Sequence, residues 1–192
     1  MGLLLIDNHS KHVSELLSKF NDVKVVDWDN LDKFNFKSLN DFDGIVLSGG
    51  TLPSIWVHRE HNNKFVKEVE LIKKSNKPIL GICFGFQLIC FAFGEDVIKM
   101  KAHRSGIISI KKDKKDVLLK SIPSEFKAFE SHKWAVKEVN YLEKLAHSKD
   151  GISIIKHPTK IIYGLQFHPE VFVNGGYGEK ILNNFLNLCF KK

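Results

Sequence analysis

The chain opens on an apolar run, Leu3-Leu4-Leu5-Ile6, that stops at the polar pair Asp7-Asn8. Four apolar residues without alternation predict a short strand buried on both faces. The spacing then changes. Val13, Leu16, Leu17 and Phe20 recur at helical intervals behind Ser10, which can cap the helix they predict. Val23-Lys24-Val25-Val26 predicts a second strand, and residues 27–40 are polar with weak helical spacing. A third strand over residues 43–47 runs into Ser48-Gly49-Gly50-Thr51. Residues 61–75 predict an amphipathic helix with Phe65, Val69 and Ile72 inward. Pro78 opens a fourth strand, Ile79 to Ile82, and a mostly apolar helix follows from Phe86.

Alternating strands and helices predict a parallel sheet covered by helices on both faces. In such sheets the functional site lies off the carboxyl ends of the strands. The second half has a different rhythm. Residues 107–110, 126–129, 145–147, 152–155 and 161–167 are strand-like with short turns between them, and Lys149-Asp150-Gly151 suits a hairpin turn. This half is expected to add antiparallel strands at the sheet edge. A closing helix over residues 177–190 presents Ile181, Leu182, Phe185, Leu188 and Cys189 on or near one face.

Composition narrows the class without choosing the chemistry. The 192 residues are 43% hydrophobic and 27% charged, with no repeat, linker or low-complexity block, so one domain over 1–192 is expected. The opening apolar stretch ends at Asp7, which predicts no signal peptide. No apolar run approaches the roughly 18 residues of a membrane span. Cys83, Cys90 and Cys189 are odd in number and lack C-x-x-C spacing, which points to a reducing, cytoplasmic setting. The net charge of +7 comes from lysines spread along the whole chain. The densest run, residues 111–116, is broken by Asp113 and Asp116 and fits a solvated turn. With three tyrosines and no aromatic–basic interleaving, a generic basic surface able to dock an acidic partner is favoured over nucleic-acid binding.

The candidate chemistry centres on Gly81-Ile82-Cys83-Phe84-Gly85, a reactive residue type at the apex of a strand–turn–helix with small residues on each side. A helix starting just after the sulfur favours thiolate. The pentapeptide alone suits a buried core cysteine equally well. The diglycine Gly49-Gly50 has three readings. No Gly-Lys-Ser/Thr or G-x-G-x-x-G accompanies it, and Leu52 stands where a pyrophosphate loop would need aspartate. A tight turn needs no chemistry. An oxyanion hole would take one N–H from Phe84 and a second from Gly50. A thiol also needs a base. Of nine histidines, His9, His12, His58, His61, His103, His147 and His157 lack a distinctive setting. His58 and His61 could lie close together, but no carboxylate or cysteine completes a metal site, so no metal is expected. His168 ends an apolar strand and is followed by Pro169-Glu170, so Glu170 can turn back onto the imidazole. That predicts a Cys83–His168–Glu170 triad.

Gly81-Ile82-Cys83-Phe84-Gly85-Phe86-Gln87, together with Gly164-Leu165-Gln166-Phe167-His168-Pro169-Glu170-Val171, resembles the paired signature of the class I glutamine amidotransferases. The resemblance runs from Leu3 to Cys189. It implies a flavodoxin-like three-layer α/β sandwich with a mainly parallel sheet. It also implies hydrolysis of L-glutamine through a γ-glutamyl thioester on Cys83, with His168 as acid/base and Glu170 as its orienter. By the same resemblance Gly50 and Phe84 form the oxyanion hole. Gln87 and the Ser131-His132-Lys133 backbone hold the substrate.

No ATP site is evident, so no cofactor is expected on this chain. ATP and Mg are expected on a separate synthetase that receives the ammonia. Within the family, Ser48-Gly49-Gly50, Glu130-Ser131-His132 and the ending Gly178…Asn183-Asn184-Phe185 are most similar to the stand-alone amidotransferase subunits of archaeal GMP synthetases, which serve conversion of XMP to GMP. Thr51, Phe86 and Trp134 depart from that group, which has proline, histidine and an acidic residue there. Anthranilate and aminobenzoate synthase subunits share the start Leu5-Ile6-Asp7-Asn8, but their Pro-Gly-Pro-Gly and Tyr-His-Ser-Leu motifs are missing. A γ-glutamyl hydrolase, or a non-catalytic binding protein on the same fold, would also fit the fold, although the intact triad weighs against the latter.

Overall fold

A computed structural model describes residues 2–50 and 65–190. In chain order the elements are β1 (Gly2–Asn8), α1 (Val13–Leu17), β2 (Val23–Asp27), 3-10 turns at Trp28–Lys33 and Phe36–Asp41, and β3 (Phe42–Gly50). Then come α2 (Val66–Lys74), β4 (Ile79–Ile82), α3 (Phe84–Ala92), β5 (Ile98–Lys112), a 3-10 turn at Val117–Leu119, and β6 (Glu125–Ala135). The chain closes with β7 (Glu143–Ser148), β8 (Gly151–Lys156), β9 (Ile162–Leu165) and α4 (Gly178–Cys189).

The strands form one sheet in the order β2-β1-β3-β4-β9-β8-β7-β5-β6. Strands β2, β1, β3, β4 and β9 are mutually parallel, and β8, β7, β5 and β6 continue the sheet antiparallel. The unbroken apolar runs follow from burial on both faces. In β1, Leu3 and Leu5 pack with Leu16 of α1 and Ile181, Leu182 and Phe185 of α4. Leu4 and Ile6 point the other way, into a core with Leu71 and Ile72 of α2 and Leu88 and Ile89 of α3. Successive side chains of one strand thus feed two separate cores, which makes the three-layer sandwich expected from the sequence.

Two features of the second half differ from the sequence expectation, and both shape the site. The last strand is not an antiparallel edge strand. It pairs in parallel with β4, Ile79 opposite Ile162 through Ile82 opposite Leu165, and takes the fifth place of the parallel set. The residues following β4 and β9 therefore emerge side by side. Strand β5 is also far longer than residues 107–110. Its first eight residues, carrying Lys99, Lys101, His103 and Arg104, are mostly exposed and are held by pairing with β6 around a register shift between Lys99 and Arg104. A strand held by its ladder rather than by burial leaves no apolar pattern to read. In α2, Phe65 and Ile72 are buried as expected and Val69 partly so, but Leu71 and Glu68 also point inward. The expected helix from 61 to 64, the candidate pair His58 and His61, and Thr51 to Ser54 lie outside the described residues. Among the described residues no helix is long and apolar enough to cross a membrane.

Candidate active site

Cys83 follows β4 directly and caps α3, with φ 49° and ψ −94°. A positive φ is costly for a residue with a Cβ, and it persists only where the surroundings fix it. Here the Cys83 N–H donates to Leu165 O at 2.7 Å, and its carbonyl accepts from Gln87 N at 3.1 Å. The flanking glycines make the turn possible. A Cβ on Gly81 would stand 2.5 Å from the Gly85 carbonyl carbon, and one on Gly85 would stand 2.5 Å from Leu47 O. Only glycine at both positions lets α3 start this close to β3 and β4.

His168 lies three residues beyond the end of β9, the strand that pairs with β4. Its N–H donates to Phe129 O at 2.8 Å, and its Nδ1 is 2.8 Å from Glu170 Oε1. The carboxylate accepts from Nδ1, which leaves Nε2 for the sulfur. Both side chains are buried. Burial alone would lower the imidazole, but its hydrogen bond and charge interaction with Cys83, and those with Glu170, outweigh it and raise it to about 10.

The diglycine closes the group from β3. A Cβ on Gly49 would stand 2.9 Å from His168 Cε1 and 3.6 Å from Cys83 Cβ. One on Gly50 would stand 2.7 Å from Asn8 O and 3.4 Å from Phe84 Cβ. Gly50 thus lies next to Phe84, and the space between imidazole and sulfur remains clear only because residue 49 has no side chain.

Strand β6 supplies the opposite wall. Ser131 O lies 3.6 Å from Cys83 Sγ, and the Ser131 hydroxyl is 3.1 Å from His103 Nε2. Both nitrogens of the His132 ring have partners within β6. Its Nδ1 is 2.8 Å from Trp134 O and its Nε2 3.0 Å from the buried Glu130 carboxylate. Lys133 is exposed. Gln87 Nε2 reaches Trp134 O at 3.4 Å and Gln166 Oε1 at 3.5 Å. The departure at Trp134 therefore falls where the backbone carbonyl, not the side chain, makes the contacts to Gln87 and His132; the indole itself lies under Lys99 Nζ. Phe86, the other departure within the described residues, is fully buried against Gly164. Ser10, Lys11, His12, Gly50, His103, Ser131 and His168 line a cavity of about 280 Å³ at the mouth. Three hydrogen-bonding groups held near a sulfur, with two backbone segments beside it, suit acyl transfer through a thioester.

Sequence reasoning missed Gln166, whose only local signal was a polar residue in an apolar strand, and His103, which sits in the unrecognised part of β5. His9, undistinguished in the sequence, gathers with Asp27 and Asp29, their ligand atoms within 4.8 Å, all three exposed.

The family profile described as Glutamine amidotransferase class-I matches residues 4–189. The chain is 41% identical over 155 residues to the glutamine-hydrolysing GMP synthase subunit of Methanocaldococcus jannaschii, covering 80% of this chain and 77% of that relative. Its identity to the Pyrococcus abyssi protein of the same name is 38% over 158 residues, covering 81% and 79%. A crystal structure from Thermoplasma acidophilum assigned to a GMP synthase subunit superposes with a TM-score of 0.81 at 30% identity, covering 97% of this chain and 92% of that one. A glutamine amidotransferase structure from Thermotoga maritima gives a TM-score of 0.80 over 98% of each chain at 17% identity, a likeness of fold alone.

Proposed function

The chain belongs to the class-I glutamine amidotransferase family, and from that premise we propose that it hydrolyses L-glutamine to glutamate and ammonia through Cys83, His168 and Glu170. The observation that carries this reading is that Gly49 lies beside both the His168 ring and Cys83, with Glu170 Oε1 2.8 Å from His168 Nδ1. The Cys83 thiolate attacks the side-chain amide carbon of glutamine. Negative charge develops on the amide oxygen, which the Gly50 and Phe84 N–H groups receive. His168 delivers its Nε2 proton to the leaving nitrogen, the C–N bond breaks, and ammonia departs. A γ-glutamyl thioester remains. Water then attacks its carbonyl carbon, giving a proton to His168, and glutamate leaves as the thiolate returns. The Ser131–Lys133 backbone holds the α-amino and carboxylate groups of the substrate, and Gln87 lines its site.

The relatives named as GMP synthase subunits support a destination for the ammonia: a separate ATP-dependent synthetase chain that converts XMP to GMP. ATP and Mg belong on that partner, since no phosphate-binding motif stands in this sequence. A reducing, cytoplasmic setting fits three cysteines that are all free and buried. The test is glutamate release from purified chain, alone and with the synthetase captured from native extract. Cys83→Ala is expected to abolish it. Absence of glutamate release with every ATP-dependent partner would overturn the reading.

A further inference from the structure

Gln166 is a polar side chain beside the nucleophile that the triad leaves unexplained. It follows β9 directly and is 3% exposed, between Leu165 and Phe167, which are fully buried. Its Nε2 lies 3.8 Å from Cys83 Sγ. Its Oε1 lies 3.5 Å from Gln87 Nε2, and that same Nε2 is 3.4 Å from Trp134 O.

The chemistry of these groups fixes which end of each amide points where. A backbone carbonyl only accepts, so Gln87 must present its NH₂ to Trp134. The same NH₂ faces Gln166, so Gln166 must present its oxygen to Gln87. Its own NH₂ is then left on the sulfur. The reversed amide would set two NH₂ groups together and an oxygen against an atom that must become negative. The other polar neighbour of the sulfur on this side, Ser131 O, accepts from an S–H and so favours the thiol. A donor there has the opposite effect and favours the thiolate.

We propose that Gln166 is a further catalytic residue, its carboxamide N–H donating to the Cys83 thiolate while Gln87 and the Trp134 carbonyl lock the amide in that orientation. The contact serves both halves of the reaction, since the sulfur is negative before acylation and again as it leaves the thioester. The proposal rests on Cys83 being the nucleophile for glutamine.

Stabilising a thiolate also makes it a weaker nucleophile, by about the square root of the change in acidity. Losing the donor therefore has a signature that damage to the fold lacks. The test is the rate of Cys83 alkylation by iodoacetamide against pH, read by mass spectrometry on the full chain. Wild type is compared with Gln166→Met and Gln166→Leu, each of which removes the donor without adding a charge, so that either one decides the matter if the other does not fold. The midpoint of the profile is expected to rise by about one pH unit, and the plateau rate at high pH to rise about threefold. Below the midpoint the variants react about threefold more slowly. A profile that superposes on wild type, or a lower plateau at an unmoved midpoint, overturns the proposal. Alkylation does not depend on the substrate. A shifted profile in a chain that releases no glutamate would sink the glutamine reading and leave Gln166 as the thiolate donor.

Discussion

Asn8 Nδ2 donates to Glu68 Oε1 at 3.1 Å, joining the end of β1 to α2 through two side chains that are both fully or almost fully buried. Asn8 pairs across the sheet with Gly50, and its backbone N–H donates to the Ser48 hydroxyl at 2.8 Å. The contact therefore backs the diglycine from behind. Burial raises the Glu68 carboxyl to about 8, with the Asn8 hydrogen bond opposing only part of the rise.

That rise makes stability fall with pH. The ordinary carboxyl value is 4.5. Between it and about 8 the unfolded chain gives up a proton that the folded chain keeps, so stability is greatest below about 4.5 and is lost as pH rises through about 8. Glu68→Gln removes this dependence and keeps an oxygen for Asn8 to donate to. Denaturant unfolding at about pH 5 and about pH 8 is expected to show wild type losing about 3 kcal/mol more than the variant. Equal losses would mean that Glu68 is not held neutral.

His168 has the opposite charge type and a different window. With its value raised from 6.5 to about 10, its pairing stabilises the fold fully below about 6.5, and that stability is lost as pH rises through about 10. Glu170→Gln keeps the shape but removes one of the two partners that overcome burial. The alkaline limb of kcat/KM, where the imidazole must still carry its proton, is expected to move to lower pH. The value of kcat should fall by at least about 100-fold with KM changed less. A pH–rate series on both proteins measures this.

The elbow was legible because its geometry is local. An apolar tetrapeptide, a cysteine between two glycines and an apolar helix fix β4, Cys83 and α3 without help from distant residues. The place of His168 near the end of β9 was legible because Pro169 stops the apolar run that leads to it. What the sequence hid depends on partners far along the chain. Nothing within residues 162–165 says that they pair in parallel with β4 rather than only antiparallel with β8. Charged residues inside the fold were hidden too. Glu68 is placed by Asn8, and the fully buried Glu95 by three N–H groups from Asn140, Tyr141 and Leu142, all more than 40 residues away. Sequence pattern places charged residues at the surface by default.

The three cysteines are expected to separate cleanly by reactivity. Cys90 is fully buried, and burial together with the nearby Glu95 charge pushes its thiol well up. Burial and Asp43 push Cys189 to about 12. Among the described residues, Cys83 alone of the three combines an imidazole partner with a helix N-terminus. Peptide mapping after brief iodoacetamide treatment near neutral pH should find label on Cys83 alone. Cys90→Ala and Cys189→Ser should keep glutamine turnover within about twofold while losing about 1 kcal/mol of stability from packing. Turnover lost in step with Cys83→Ala would mean that these thiols act in the reaction.

Gly85 sets two effects of known size against each other. It is a helical residue of α3, where alanine is ordinarily favoured over glycine by about 1 kcal/mol. But its Cβ would stand 2.5 Å from Leu47 O and 2.8 Å from Leu47 Cβ, in the middle of the parallel sheet. A backbone carbonyl inside a ladder cannot turn aside as the end of a flexible side chain can. Overpacking of this kind costs about 1–3 kcal/mol, so the clash is expected to win. Gly85→Ala should lose up to about 2 kcal/mol net, or up to about 8 °C in Tm for a chain of this length. The displaced helix carries Phe84 and the cap at Cys83 with it, so kcat should fall more than KM rises. A Gly85→Ala protein that melted higher than wild type would show that propensity governs here, and that the glycine is not what holds the elbow against β3.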